Sequence, residues 1–418
     1  MTPVSIAATS VQVARRAMAC LGALVVLHGG PVLRAQQPLS RAEAIQTALG
    51  KSALVTAISA DTLAAGARLR SAREYPNPSL TLTYSKDTPQ DHILFDVPLD
   101  LPGIRGARVR AARAGRTSAR FGFLAARSAI ELNADTMYTT AQGAALRSSL
   151  SHATAVDAAK LLTDTKARRD AGDASDLDVN LAEVSAAQAA NVANVDSLEA
   201  IDTRLELQAA MGLRGDTVIV ELRDSLAAPS AGIAPSASDL ATSPTVAAAS
   251  AAVTAAQQTL IFERRSAGGV PSIQIGADAH DAAVGGQKGL LPTVGIALPL
   301  PLFNHNAGAV EAAHAEVTRA QAGLEIARLD ASTQLARARR TRSVAEARIA
   351  RDRTILDAAT RNVSLAERAY AAGEMAIGDI LAARRAQYDA QAQYVTDLVS
   401  ANVGAALVRV LTANGVTQ

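Results

Sequence analysis

The chain has 418 residues, a formal net charge of +2, no tryptophan, 3% aromatic residues, and a 49% hydrophobic content in which alanine is prominent. A composition this short of large side chains argues against a globular enzyme core and favours long helices packed closely side by side. The near-neutral charge argues against a nucleic-acid partner.

Arg15 and Arg16 precede the apolar run "AMACLGALVVL". That run is too short to span a bilayer, so residues 1–35 read as a secretion signal cut after Ala35. Cys20 is the only cysteine, and "AMAC" is a poor lipobox because the apolar segment follows the cysteine. Cleavage leaves no thiol, disulfide or thiolate metal site, and removes three arginines and no acid, taking the formal charge from +2 to −1.

After the signal, Ser40 and Glu43 have capping-box spacing, and helical periodicity runs on until Pro76 and Pro78 forbid it. Leu80, Leu82 and Tyr84 then alternate with Thr81, Thr83 and Ser85, and Ile93, Phe95, Val97 and Leu99 alternate in a second run, so two strands are expected, the second ended by Pro98 and Pro102. From Gly103 a helical pattern continues without proline to Gly172, about 100 Å at 1.5 Å per residue.

The second half repeats this order. Ile273 and Ile275, then Val294, Ile296 and Leu298, give two more alternating runs before another long helix. The pairs Pro98 and Pro299, Val109 and Val310, Gly122 and Gly323, Arg127 and Arg328, Gly172 and Gly373, and Asp178 and Asp379 are each separated by 201 residues. Shared proline, glycine and aspartate at points where structure must change are the telling matches in an alanine-rich chain. The organisation is therefore a signal at 1–35, a repeat at 36–213, a connector at 214–240 with a short strand at Val218 to Leu222, and a second repeat at 241–418.

Four strands are too few to close a membrane barrel; two chains give eight and three give twelve. Apolar residues on one face with small or polar ones on the other suit a barrel between lipid and water, but equally two hairpins packed on helices in a soluble protein. Helices of about 100 Å decide for the former, because they cross much of an envelope compartment.

The duplication, the prolines bounding the strands, "LPLPLFNHNAGAVEAA", and the turns "AGDASDLDV" and "AGEMAIGDIL" resemble the TolC-like outer membrane efflux protein family. The resemblance covers residues 40 to 412 and is closest to the heavy-metal branch, of the cobalt, zinc and cadmium or copper and silver type. It implies a mainly α fold with a small β part: a homotrimer with a 12-stranded β-barrel in outer membrane lipid and an α-helical barrel, coiled-coil in character, projecting into the periplasm. It further implies a periplasmic adaptor (membrane fusion) protein and an inner-membrane pump of the resistance-nodulation-division type as partners.

On that resemblance Gly172, Asp173 and Ala174, with Gly373, Glu374 and Met375, form the periplasmic turns that contact the adaptor, and Asp178 and Asp379 are candidates for the periplasmic aperture. Helix caps explain the glycines but leave Asp178 and Asp379 less well explained, since both fall inside the returning helix; a favourable first-turn dipole contact is the alternative.

Other chemistry finds little support. The histidines of the mature chain, His92, His152, His280, His305 and His314, show no i, i+4 pair. Asp278, His280 and Asp281 in "DAHD" read as a solvated loop before a metal site, and His305 as a capping or packing residue. With no phosphate loop or nucleophile elbow, no catalytic residue, cofactor or resident metal is expected. The expected function is a passive outer membrane channel of a tripartite efflux system, the alternative being a periplasmic adaptor or coiled-coil scaffold without a channel.

Overall fold

The structure is a computed structural model that describes residues 38–86, 89–214, 219–229, 243–279 and 290–412. The expected signal at 1–35 with Cys20, most of the expected connector at 214–240, and His280 and Asp281 lie outside the described residues. The elements are α1 (Arg41–Lys51), α2 (Ala53–Arg73), β1 (Ser79–Tyr84), β2 (Asp91–Pro98), α3 (Pro102–Asp170), α4 (Asp176–Ala210), α5 (Pro244–Ser266), β3 (Ser272–Ala279), β4 (Leu291–Ala297), α6 (Ala307–Ala371) and α7 (Ile377–Thr412).

The capping box at the start of α1 is formed: the Ser40 hydroxyl accepts from the Glu43 N–H, and the Glu43 carboxylate accepts from the Ser40 N–H at 2.8 Å. The single helical run read up to Pro76 is broken once, at Ser52. Its backbone is extended, and its side chain caps α2 by accepting from the Leu54 N–H. Serine competes for backbone donors in this way, so it starts helices more readily than it continues them.

The α3 helix has 69 residues with Pro102 in its first turn, where the missing N–H costs nothing, and α6 has 65. Gly172 and Gly373 end them with φ of 88° and 76°, the left-handed region that glycine enters without a Cβ penalty. Both turns are Schellman motifs: Asp173 N–H donates to Arg168 O and Gly172 N–H to Arg169 O, matched by Glu374 to Ala369 and Gly373 to Tyr370. Identical bonding at an offset of 201 shows that the repeat is one of backbone geometry as well as sequence.

Leu99 and Leu298, the last residues of the alternating runs, lie just past the ends of β2 and β4. Of the expected strand at Val218 to Leu222, the described part forms only an isolated parallel bridge, Leu222 with Leu39. Asn306, not His305, shapes the entry to α6. It takes a left-handed φ of 58°, and its amide donates to the Glu263 carbonyl and carboxylate, while His305 is exposed.

In the bundle α3 packs against α1, α2, α4, α5 and α7, and α6 packs against α5 and α7. Among the described residues two helices, α5 and α7, are long and apolar enough to cross a membrane. Their contacts with α3 and α6 place them in the bundle. Alanine lets the helices approach closely: at Gly143 an added Cβ would lie 2.3 Å from Val399 Cγ2 on α7. One apolar cluster joins Ala44, Ala48, Ala134, Tyr138 and Leu207; another, near the turns, joins Leu161, Ala182, Ala366, Ile377 and Ile380.

A buried ion cluster ties the first and last described helices to the middle of α3. Asp135 accepts from Arg41 on α1 and Arg409 on α7, and Tyr138 O–H donates to Leu39 O at 2.8 Å.

Candidate functional site

The four strands form one antiparallel sheet in the order β1-β2-β3-β4. Its register places Leu80, Phe95, Ile275 and Val294 in one row across all four strands, with Leu82, Ile93, Ala277 and Pro292 in the next row on that face. The row between carries Thr81, Leu94, Gly276 and Thr293, and the flanking rows Ser79, Asp96, Gln274 and Gly295, and Thr83, His92, Asp278 and Leu291, all on the opposite face. One face is thus mostly apolar, with Asp91 at its end, and the other mostly polar.

The polar face is cross-linked: Ser272 Oγ donates to Asp96 at 2.6 Å, Thr293 Oγ1 donates to Asp278 at 3.0 Å, and His92 Nδ1 lies 2.8 Å from the same carboxylate. The apolar face is not buried by this chain, Val294 being 76% exposed. The outer edges of β1 and β4 have no strand partner within the described residues.

Antiparallel pairing puts all four strand-to-helix junctions at one end of the sheet and both strand-to-strand loops at the other. The junctions carry exposed apolar side chains: Tyr75, Leu101, Val270, Leu298, Leu300 and Phe303, the last 99% exposed. Arg105 covers the Tyr75 ring at 4.4 Å, and Arg265 donates to Gly103 O at 3.2 Å. Apolar and aromatic side chains beside arginines make an amphipathic collar between sheet and bundle.

At the far end, about 100 Å along α3, lie the two turns. Asp173, Gly373 and Glu374 are exposed, Ala174 is half-buried, and Met375 packs against the apolar cluster of Ile377 and Ile380. The turns are joined through Arg168, which donates to Tyr370 O at 3.0 Å and stacks 4.7 Å over its ring.

Asp178 and Asp379 occupy matching places in the first turns of α4 and α7. Asp178 closes a capping box, accepting from Ser175 N–H at 2.9 Å and Ser175 Oγ at 2.8 Å. The backbone bond to Ser175 and then its hydroxyl hold the Asp178 carboxyl below the ordinary carboxylate range, with Arg168 adding a smaller pull. This gives Asp178 a capping role that its spacing had not suggested. In the second repeat the Ser175 position is Ala376, whose carbonyl receives the Asp379 N–H at 3.2 Å, and Asp379 is exposed.

Between α3, α4, α6 and α7 runs a cleft of about 510 Å³ lined by Asp157, Gln188, Glu367, Arg384, Gln387 and Tyr388, among others. Arg384 spans it, donating to Asp157 O at 2.9 Å and Glu367 at 2.8 Å. Tyr388 O–H donates to Asp196 at 2.9 Å; burial, then the bond to Asp196, pushes its pKa up to about 12 and keeps it a donor. None of these cleft pairs stood out in the sequence. The one signal for them is that Asp196 and Asp397, like Arg147 and Arg348, are separated by 201.

Among the described residues, a two-faced sheet with open edges is set on a bundle of long paired helices. The outer membrane efflux protein family model matches residues 237–414. The chain is 25% identical over 320 residues to the nickel-cobalt-cadmium resistance protein NccC of Alcaligenes xylosoxydans xylosoxydans, covering 74% of this chain and 72% of that protein.

Its fold matches the CmeC outer membrane channel of Campylobacter jejuni with a TM-score of 0.75 at 15% identity, over 90% of this chain and 86% of that one. The outer membrane protein VceC of Vibrio cholerae gives a TM-score of 0.74 at 19% identity over 90% and 97%, and CusC a TM-score of 0.71 at 15% identity over 89% and 91%.

Proposed function

We propose that the chain is the outer membrane channel of a tripartite efflux system, conducting substrate delivered by an inner-membrane pump of the resistance-nodulation-division type through a periplasmic adaptor. The observation that carries this reading is the four-stranded sheet with its apolar face bare and both edges open. Unpaired backbone groups in lipid cost several kcal/mol each, so a spanning sheet must close. Pairing β4 of one protomer with β1 of the next closes a 12-stranded barrel in a homotrimer, with the apolar rows toward lipid and the polar rows toward the lumen.

The helices then extend into the periplasm, and the turns at Gly172 to Ala174 and Gly373 to Met375 are the adaptor contact. Asp178 and Asp379 ring the aperture and favour cations. Heavy-metal cations are the proposed substrate class, supported by the likeness to a nickel-cobalt-cadmium resistance protein. Energy comes from the pump, the channel itself being passive.

The test is to express the full chain in a Gram-negative host, fractionate the envelope, cross-link, and measure conductance in planar bilayers. Outer membrane trimers with a stable conductance are expected. A monomer in the soluble periplasmic fraction would instead favour the scaffold reading.

A further inference from the structure

Midway along the seam between α6 and α7, Asp352 and Asp397 face each other in the interior, 8% and 2% exposed. Asp397 has partners: Gln393 Nε2 donates to its Oδ2 at 3.1 Å, and Arg348 lies 3.5 Å from its Oδ1. Asp352 Oδ2 is buried with no hydrogen-bond partner. A buried polar atom in that condition carries the full desolvation penalty, and here it also faces a second carboxylate.

The first repeat shows how the same place is occupied without conflict. Arg147 and Asp196 stand where the second repeat has Arg348 and Asp397, but Ser151 replaces Asp352. The Ser151 hydroxyl donates to Ser148 O at 3.2 Å, and Asp196 receives a hydroxyl donor from Tyr388. One carboxylate there meets one donor. In the second repeat Asp397 has Gln393 and Arg348 as partners, but a second carboxyl, Asp352, stands where the first repeat has a serine hydroxyl.

A single proton repairs this, because a protonated Asp352 becomes a donor aimed at Asp397 and the like-charge repulsion disappears. We propose that Asp352 and Asp397 share one proton and act as a pH-dependent clamp between α6 and α7, tight while the proton is held and loosened when it leaves. The charged groups acting on Asp352 are Asp397 across the seam and Arg351 and Arg348 on its own helix. The two arginines disfavour a metal cation in the pair, and the described residues hold no cluster of three acidic or histidine ligands.

Burial, then Asp397, raises the Asp352 carboxyl above the ordinary range. A raised folded-state value means that the stabilisation is complete below the unfolded carboxylate pKa and is lost as pH rises through the folded one. The clamp therefore tightens in acid and weakens toward neutral and alkaline pH.

Asp352→Asn supplies a permanent amide donor and tests the clamp in the full-length protein in detergent. Between about pH 4 and about pH 8 the wild type should lose melting temperature relative to the variant, with a gap of about 3 °C or more at the upper end and none at the lower. Infrared spectra at about pH 6.5, where ordinary carboxyl groups are ionised, should show a protonated carboxyl band in the wild type that the variant lacks. Asp352→Ser, the residue of the first repeat, should remove the same band if the asparagine variant does not assemble. Parallel melting profiles, or a wild type without the band, overturn the proposal. So does a rise in wild-type melting temperature on adding calcium or zinc chloride at about pH 8 that Asp352→Asn abolishes, since the pair would then be a cation site.

Discussion

Ser175 and Asp178 cap each other at the start of α4, whereas the matching residues of α7, Ala376 and Asp379, make no such pair. Ser175→Ala should cost about 1 kcal/mol, and Ala376→Ser, which recreates the box spacing with Asp379, should stabilise the second turn by a similar or smaller amount. Hydrogen exchange of the first-turn amides of α4 and α7 reads both. Because the folded Asp178 carboxyl is held low, its contribution is present above the ordinary carboxylate pKa and lost as pH falls through the lowered one. Protection of the α4 start should fall in acid, with no matching fall in Ser175→Ala.

The same asymmetry bears on ion selectivity. Asp178 is engaged by Ser175, whereas Asp379 is exposed and has no capping serine. Asp379→Asn should therefore lower cation preference, read as reversal potential under a salt gradient, more than Asp178→Asn does, and the double variant should lower it most. An unchanged potential in the double variant would remove both residues from the aperture.

Gly172→Val and Gly373→Val place a β-branched residue at φ of 88° and 76°. Each should cost about 1–3 kcal/mol locally and distort the Schellman turn. Adaptor pull-down and efflux should fall while the trimer persists on native gels, because the turns lie about 100 Å of helix from the sheet. Equal loss of trimer and efflux would assign these glycines to folding alone.

The chain has no tryptophan, so Phe303→Trp creates a single reporter at a site that is 99% exposed. In vesicles its fluorescence should be quenched by lipids brominated near the headgroup, as expected for an interfacial anchor. Emission blind to lipid but changed by trimer dissociation would place Phe303 against a neighbouring protomer instead.

Gly143→Ala gains helix propensity yet sets a Cβ 2.3 Å from Val399 Cγ2. The clash should prevail, with a net loss of about 1–3 kcal/mol in thermal melts, and Val399→Ala should restore part of it.

What the sequence disclosed depended on locality. Helix ends at Gly172 and Gly373, the capping box at Ser40 and the alternating strands were legible because glycine, proline, serine and period-two patterning act within a few residues. The break at Ser52 was not, since serine suits a helix interior nearly as well as a cap until a neighbouring element fixes the angle. The Asp135 cluster unites Arg41, 94 positions away, with Arg409, 274 positions away, and such pairings leave no local trace. Asp178 was legible as a repeated aspartate but not as a cap, because the serine that completes its box is absent from the second copy.

The two turns share one backbone and differ in chemistry, and in a trimer this has a consequence of symmetry. Six loops of nearly the same shape would encircle the axis in alternation, three with a serine-bound carboxylate behind them and three with a free one. A partner reading shape alone would see six equivalent seats; one reading charge would see three. A ring of six identical adaptor chains would thus settle into two alternating environments, and an assembly with only three adaptors would have a chemical basis for choosing which turns to occupy.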